Sequence, residues 1–164
     1  MAHLLIAGLP GAGKSYFCRW LSDNHGYIHV NADDLTESDI QRLLAPNTGN
    51  VKPVAADLIA RGPDVVLEWG FIPALLGRVR QLVRSGFEPW WFGGDETAAR
   101  RAFLDRGGVP EEALNIQLAR IHESWVRIEP VFATHVLNVV SATPGGRYQH
   151  LPPAEVLGMI AGTS

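Results

Sequence analysis

Near the start of the chain, Gly8-Leu9-Pro10-Gly11-Ala12-Gly13-Lys14-Ser15 sets three glycines, a lysine and a hydroxyl within eight positions. The spacing is G-x-x-x-x-G-K-[ST], which suits the phosphates of a nucleotide. Several backbone N–H groups must converge on one anion, and side chains there would block its oxygens. Gly8, Gly11 and Gly13 carry none. A helix beginning near Gly13 adds the positive end of its dipole. Lys14 then brings a point charge to the β- and γ-phosphates, and the Ser15 hydroxyl a ligand for Mg²⁺. Pro10, Ala12 and Tyr16 complete the stretch expected to meet the nucleotide. Three carboxylates lie farther on: Asp33, Asp34 and Glu68. Such groups hold a cation or take a proton from an attacking hydroxyl. A competing reading makes Asp33 and Asp34 helix caps, and Glu68 the partner of Lys14 or an arginine in a buried ion pair.

These residues need elements to position them, and the chain alternates strand with helix. Short apolar strands are expected at His3–Ala7, Tyr27–Val30, Val65–Leu67, Pro89–Phe92 and His135–Val140. Between them the spacing predicts a helix from Lys14 to about Asn24, with Phe17, Cys18 and Leu21 on one side. A capping-box-like Thr36-Glu37-Ser38-Asp39 precedes Ile40, Leu43 and Leu44, and Pro46-Asn47-Thr48-Gly49 breaks that segment. Val51 to Ile59 and Ile72 to Val83 read as further helices, the second with the clearest apolar face in the chain. Gly93-Gly94 reads as a turn. Thr97–Arg106 is expected to be helical, Gly107-Gly108 a break, and Pro110-Glu111-Glu112 the opening of a helix that buries Leu114, Leu118, Ile121, Trp125 and Ile128. A last helix starts near Pro153. Apolar strands alternating with helices imply a parallel sheet covered on both faces. In such a sheet ligands sit beyond the carboxyl ends of the strands, so Asp33, Asp34 and Glu68 are expected to face the glycine-rich loop.

"GLPGAGKS", then "VNADDL" and "VVLEWGF", together resemble the small P-loop kinases: the polynucleotide kinase-like, zeta-toxin-like and chloramphenicol phosphotransferase-like group of AAA-type ATP-binding domains. The resemblance implies an α/β, three-layer P-loop NTP hydrolase fold. Its five-stranded parallel sheet has the order 2-3-1-4-5, with a short helical lid at about 97–130. It implies ATP and Mg²⁺ as donor and cofactor, with GTP left open as donor. By position, Asp33 matches the carboxylate that accepts the proton of a substrate hydroxyl, and Asp33 or Asp34 would hold Mg²⁺ through water. Glu68 stands where relatives often carry Asp. Glu68, Asp34, Trp69 and Arg78 fall at substrate positions, although Trp69 suits packing and Arg78 a solvated helix face equally well. Arg106 and then Arg101 match the lid arginines that neutralise a transferring phosphoryl group. Gly107-Gly108 would let the lid hinge. Pro144, in the turn-rich loop 141–147, matches the adenine site. Thr36 departs from the pattern, because polynucleotide kinase-like members often carry a phosphate-gripping arginine there.

Composition sets outer bounds. The chain has 164 residues, 46% hydrophobic and 19% charged, enough for one domain with a core over 1–164. A net charge of -3 leaves no global footprint for nucleic acid or an anionic membrane, though a local basic groove stays open. Cys18 is the single cysteine, and the six histidines show no metal-ligand spacing. The opening residues have no basic leader, and no apolar run approaches a membrane span, so a cytoplasmic protein is expected. The expected activity is transfer of the γ-phosphate to a hydroxyl of a small-molecule acceptor. The alternatives are a nucleic-acid 5′-hydroxyl kinase and a nucleotide-binding switch or toxin-like protein without turnover. Oligomeric state is not readable from the sequence.

Overall fold

A computed structural model describes residues 3–34 and 50–163. Six strands form one sheet: β1 (His3–Gly8), β2 (Ile28–Asn31), β3 (Val65–Glu68), β4 (Phe87–Gly94), β5 (Val136–Ala142) and β6 (Tyr148–His150). Their order is β2-β3-β1-β4-β5-β6, and all pairings are parallel except β5 with β6. Leu4–Ala7 and Val65–Leu67 are wholly buried, as continuous apolar runs must be when both faces of a parallel sheet are covered.

Helices α1 (Lys14–His25), α2 (Lys52–Ile59), α3 (Leu76–Arg84), α4 (Glu96–Arg106), α5 (Glu111–Phe132) and α6 (Pro153–Thr163) provide that cover. Neighbouring residues of β4 reveal the two sides. Trp91 meets Trp125 and Phe132 of α5, each with ring centroids 5.3 Å away, whereas Phe92 meets Phe17 of α1 at 5.2 Å. Adjacent strand residues point to opposite faces, so α1 and α5 lie on opposite sides of the sheet. The result is three layers.

Register brings the carboxyl ends together. Ile6 of β1 pairs with Glu68, and Asn31 of β2 pairs with the same Glu68. The chain after Asn31, the Glu68 carboxylate and the loop after Gly8 therefore gather at one edge of the sheet.

The order 2-3-1-4-5 holds, but the sheet has six strands where five were expected. The 141–147 loop is a hairpin. Gly146 N–H donates to the Thr143 carbonyl at 3.0 Å and Thr143 N–H to the Arg147 carbonyl at 2.9 Å. Both turn glycines have positive φ, 106° and 74°. The added strand has three residues, too few to show a period. Gly93-Gly94, expected as a turn, continues β4 with a register shift against β5. Residues 73–75 form a 3-10 turn ahead of α3. Pro130 sits in the last turn of α5 without ending it. The capping box at 36–39, the apolar residues behind it and the break at 46–49 lie outside the described residues.

Candidate functional site

Gly13, in the left-handed region at φ 83°, starts α1 directly beyond β1. Two other glycines are required by the protein itself. A Cβ on Gly8 would run into the Phe92 carbonyl of β4, and one on Gly11 into the Ala99 carbonyl of α4; both have positive φ. Leu9 N–H also donates to the Phe92 carbonyl at 2.9 Å. The loop is thus pressed on β4 and α4, which leaves its other side for a ligand. From the far edge, His150 Nε2 donates to the Gly11 carbonyl at 2.7 Å.

The Lys14 ammonium turns back on the loop and donates to the carbonyls of Gly8 at 3.1 Å and Leu9 at 2.9 Å. Burial pushes its pKa down to about 8, against the opposing pull of the Glu68 charge. Ser15 Oγ donates to Glu68 Oε1. On the other carboxylate oxygen, Oε2, His29 Nε2 donates at 3.0 Å. Burial alone would push the Glu68 pKa up; the bonds from His29 and Ser15, with the Lys14 charge nearby, outweigh it and hold the group below its ordinary value. Glu68 is therefore an anion buried to 6% exposure and hydrogen-bonded at both oxygens, but by a serine and a histidine, where the competing reading had expected an ion pair with Lys14 or an arginine.

A cleft of about 680 Å³ opens over this group. Pro10, Gly11, Gly13, Lys14, Ser15 and Tyr16 line one side. Asp33 and Glu68 line another, and Arg106 a third. Asp33 is exposed in a 3-10 turn at 32–34, and its N–H donates to Asn31 Oδ1 at 3.0 Å. An asparagine thus holds the aspartate's backbone and leaves the carboxylate to face the cleft. Other expected site residues lie elsewhere. Gly8 and Ala12 are buried beneath the loop, and Asp34 is exposed outside the lining. Trp69 is 4% exposed, packs on Phe71 at 5.9 Å, and donates its backbone N–H to Ile6. Arg78 is 7% exposed within α3, not on a solvated face. Pro144 is exposed in the β5–β6 hairpin, and a side chain on Gly146 of that hairpin would meet Arg101 Nη1 at 3.2 Å.

The cleft also takes in residues that the sequence reading passed over: Arg19, Asn31, Phe103, Gln117, Tyr148 and His150. Arg19 could have been found, since it stands four residues after Ser15 on one helix face. Tyr148 and His150 alternate on β6, a strand that was not foreseen. In the segment 97–130, α4 carries Arg106 to the cleft, its guanidinium 5.0 Å from the Phe103 ring centre. Gly107 and Gly108, both exposed and with positive φ, separate it from α5. Arg100 bonds Glu111 and Asn115 across that break.

No protein-family model matches the chain, and no curated protein is similar to it in sequence. Solved structures are similar in shape. A gluconokinase from Sinorhizobium meliloti superposes with a TM-score of 0.56 at 18% identity, over 96% of this chain and 87% of that one. A sugar kinase from Janibacter gives 0.56 at 15% identity, over 99% and 93%. A shikimate kinase from Acinetobacter baumannii, solved with shikimate, gives 0.59 at 14% identity, over 100% and 95%. The chain has the fold of the small P-loop kinases. In that P-loop kinase fold the cleft described above is built at the strand ends, where the loop, Asp33 and Glu68 converge. No helix among the described residues is long and apolar enough to cross a membrane.

Proposed function

We propose that this protein is an ATP- and Mg²⁺-dependent phosphotransferase that moves the γ-phosphate to a hydroxyl of a small-molecule acceptor. One observation carries the reading: Asp33 lines the same cleft as Lys14 and Ser15, so a base and a phosphate cradle share one space. Lys14 exchanges its two loop carbonyls for phosphate oxygens, which offer it charge as well as acceptors. Arg106 faces the developing charge from α4. Arg101, against the hairpin that holds Pro144, takes the base end of the nucleotide. Asp33 accepts the acceptor's proton as the hydroxyl attacks in line.

The donor set fits Mg²⁺. The Ser15 hydroxyl and the Glu68 carboxylate are hard oxygen ligands side by side. Ser15 would hold the ion, with Glu68 and Asp33 or Asp34 reaching it through water. Bound there, it would neutralise phosphate charge.

Acceptor recognition falls to the residues around Asp33, among them Arg19, Gln117 and Asn31. Trp69 and Arg78 shape the core under that space. The neighbours in fold named for gluconate, sugar and shikimate phosphorylation make hydroxylated acids and sugars the first acceptors to try. The test is Asp33→Asn with an acceptor found from such a panel. Phosphotransfer should drop by roughly 10²–10⁴-fold, the range for a lost general base, while nucleotide affinity holds. Full activity in that variant would refute the assignment.

A further inference from the structure

Cys18 of α1, His29 of β2 and Glu68 of β3 come from three separate elements and meet under the phosphate loop. One ligand atom from each, a sulfur, an imidazole nitrogen and a carboxylate oxygen, lie within 4.8 Å of one another. Two atoms held about 2.0–2.2 Å from a tetrahedral ion are roughly 3.3–3.6 Å apart. His29 Nε2 and Glu68 Oε2 stand at 3.0 Å, close to that edge. The sulfur lies within 4.8 Å of both, so closure onto an ion needs a shift of at most about 1 Å.

We propose that Cys18, His29 and Glu68 form a second cation site, for a thiophilic divalent ion of the Zn²⁺ class. The donor types separate it from the Mg²⁺ position. Mg²⁺ takes oxygen ligands, whereas a thiolate and an imidazole select Zn²⁺ and its borderline-soft relatives. Charge also balances. On binding, the thiol proton leaves to solvent and His29 Nε2 gives up the proton it shares with Glu68, the neutral ring keeping its proton on Nδ1, so that thiolate plus carboxylate neutralise the dication beside the Lys14 ammonium. Three protein ligands leave a fourth position for water, and of the three only Glu68 lines the cleft. Because Glu68 Oε1 accepts from Ser15, an ion on Oε2 is one carboxylate away from the hydroxyl of the phosphate loop. The site does not depend on the phosphotransferase reading.

The test uses Co²⁺ as a probe of the whole chain after chelator treatment, without nucleotide. Cys18 is the single cysteine, so a thiolate-to-cobalt charge-transfer band has only one possible source. The expected result is a saturable band at one equivalent, displaced by Zn²⁺ and untouched by excess Mg²⁺. Cys18→Ala should abolish it. His29→Gln, at a half-buried position that need not disturb folding, should weaken cobalt binding by more than about tenfold, the scale reached even by outer-shell partners. Wild-type protein that takes up Co²⁺ without a thiolate band overturns the proposal. So does a His29→Gln titration that overlays the wild type, which would leave a buried thiol beside a hydrogen-bonded histidine and carboxylate.

Discussion

Lys14 spends its hydrogen bonds on the loop that it serves, and burial draws its pKa down to about 8. The unfolded chain keeps that proton to the ordinary value of 10.5, so between the two values the unfolded state binds more protons. Its contribution to stability therefore rises with pH across that window and is flat below it. Lys14→Met has nothing to titrate. Urea unfolding at several pH values should show wild type gaining on Lys14→Met from about pH 8 upward, and no trend between pH 6 and 7.5. Cys18, whose thiol burial pushes up, interacts with Lys14, so both proteins are compared in a Cys18→Ala background. Glu68 runs the other way. Its folded-state pKa lies below the ordinary 4.5, so its stabilisation is present above that value and lost as pH falls through the folded one. Glu68→Gln should be less stable than wild type at pH 7, with the gap closing in acid. The types of these residues were legible in sequence because the phosphate loop is contiguous. The carboxylate's partners were not, since His29 and Ser15 reach Glu68 only across paired strands.

At the scale of elements, the β5–β6 hairpin is the part that the sequence hid. It sends His150 to the Gly11 carbonyl and Tyr148 to the cleft wall, with the two rings 5.6 Å apart. His150→Ala removes one hydrogen bond to the loop, worth about 0.5–1.5 kcal/mol. A titration with an ATP analogue should read this as a roughly 2–10-fold rise in Kd. Gly11→Ala places a methyl against the Ala99 carbonyl in a left-handed conformation. Destabilisation of at least about 1–3 kcal/mol is expected in thermal or urea unfolding. The glycine pattern had an explanation from sequence, that phosphate oxygens need room. Its second cause, the pressure of β4 and α4 from behind, depends on which elements come to lie there.

For the whole molecule, the apolar residues divide between two faces of one sheet. Leu21 of α1 and Leu114 of α5 are both fully buried, one on each side. Each leucine-to-alanine change should cost about 2–5 kcal/mol. With the sheet between them, the two costs should add to within about 0.5 kcal/mol in a double mutant. Total stabilities of domains are about 5–15 kcal/mol, so the double variant should lose a large share of its stability. One cooperative transition followed by both fluorescence and circular dichroism would support the single-domain reading of 1–164.

Apolar strands alternating with helices were enough to indicate a layered parallel sheet, and a contiguous motif indicated the phosphate loop, whereas the strand order 2-3-1-4-5 came only from the resemblance to the small P-loop kinases. Helix α5 was legible from local patterning too, since Leu114, Leu118, Ile121 and Ile128 repeat at helical spacing and all four are buried. Tertiary structure alone decided that Trp69 and Arg78 are buried. It also paired Glu68 with His29 and drew Cys18 to the same point. Parallel register sets residues distant in sequence side by side, and no spacing along the chain records which strand ends will meet.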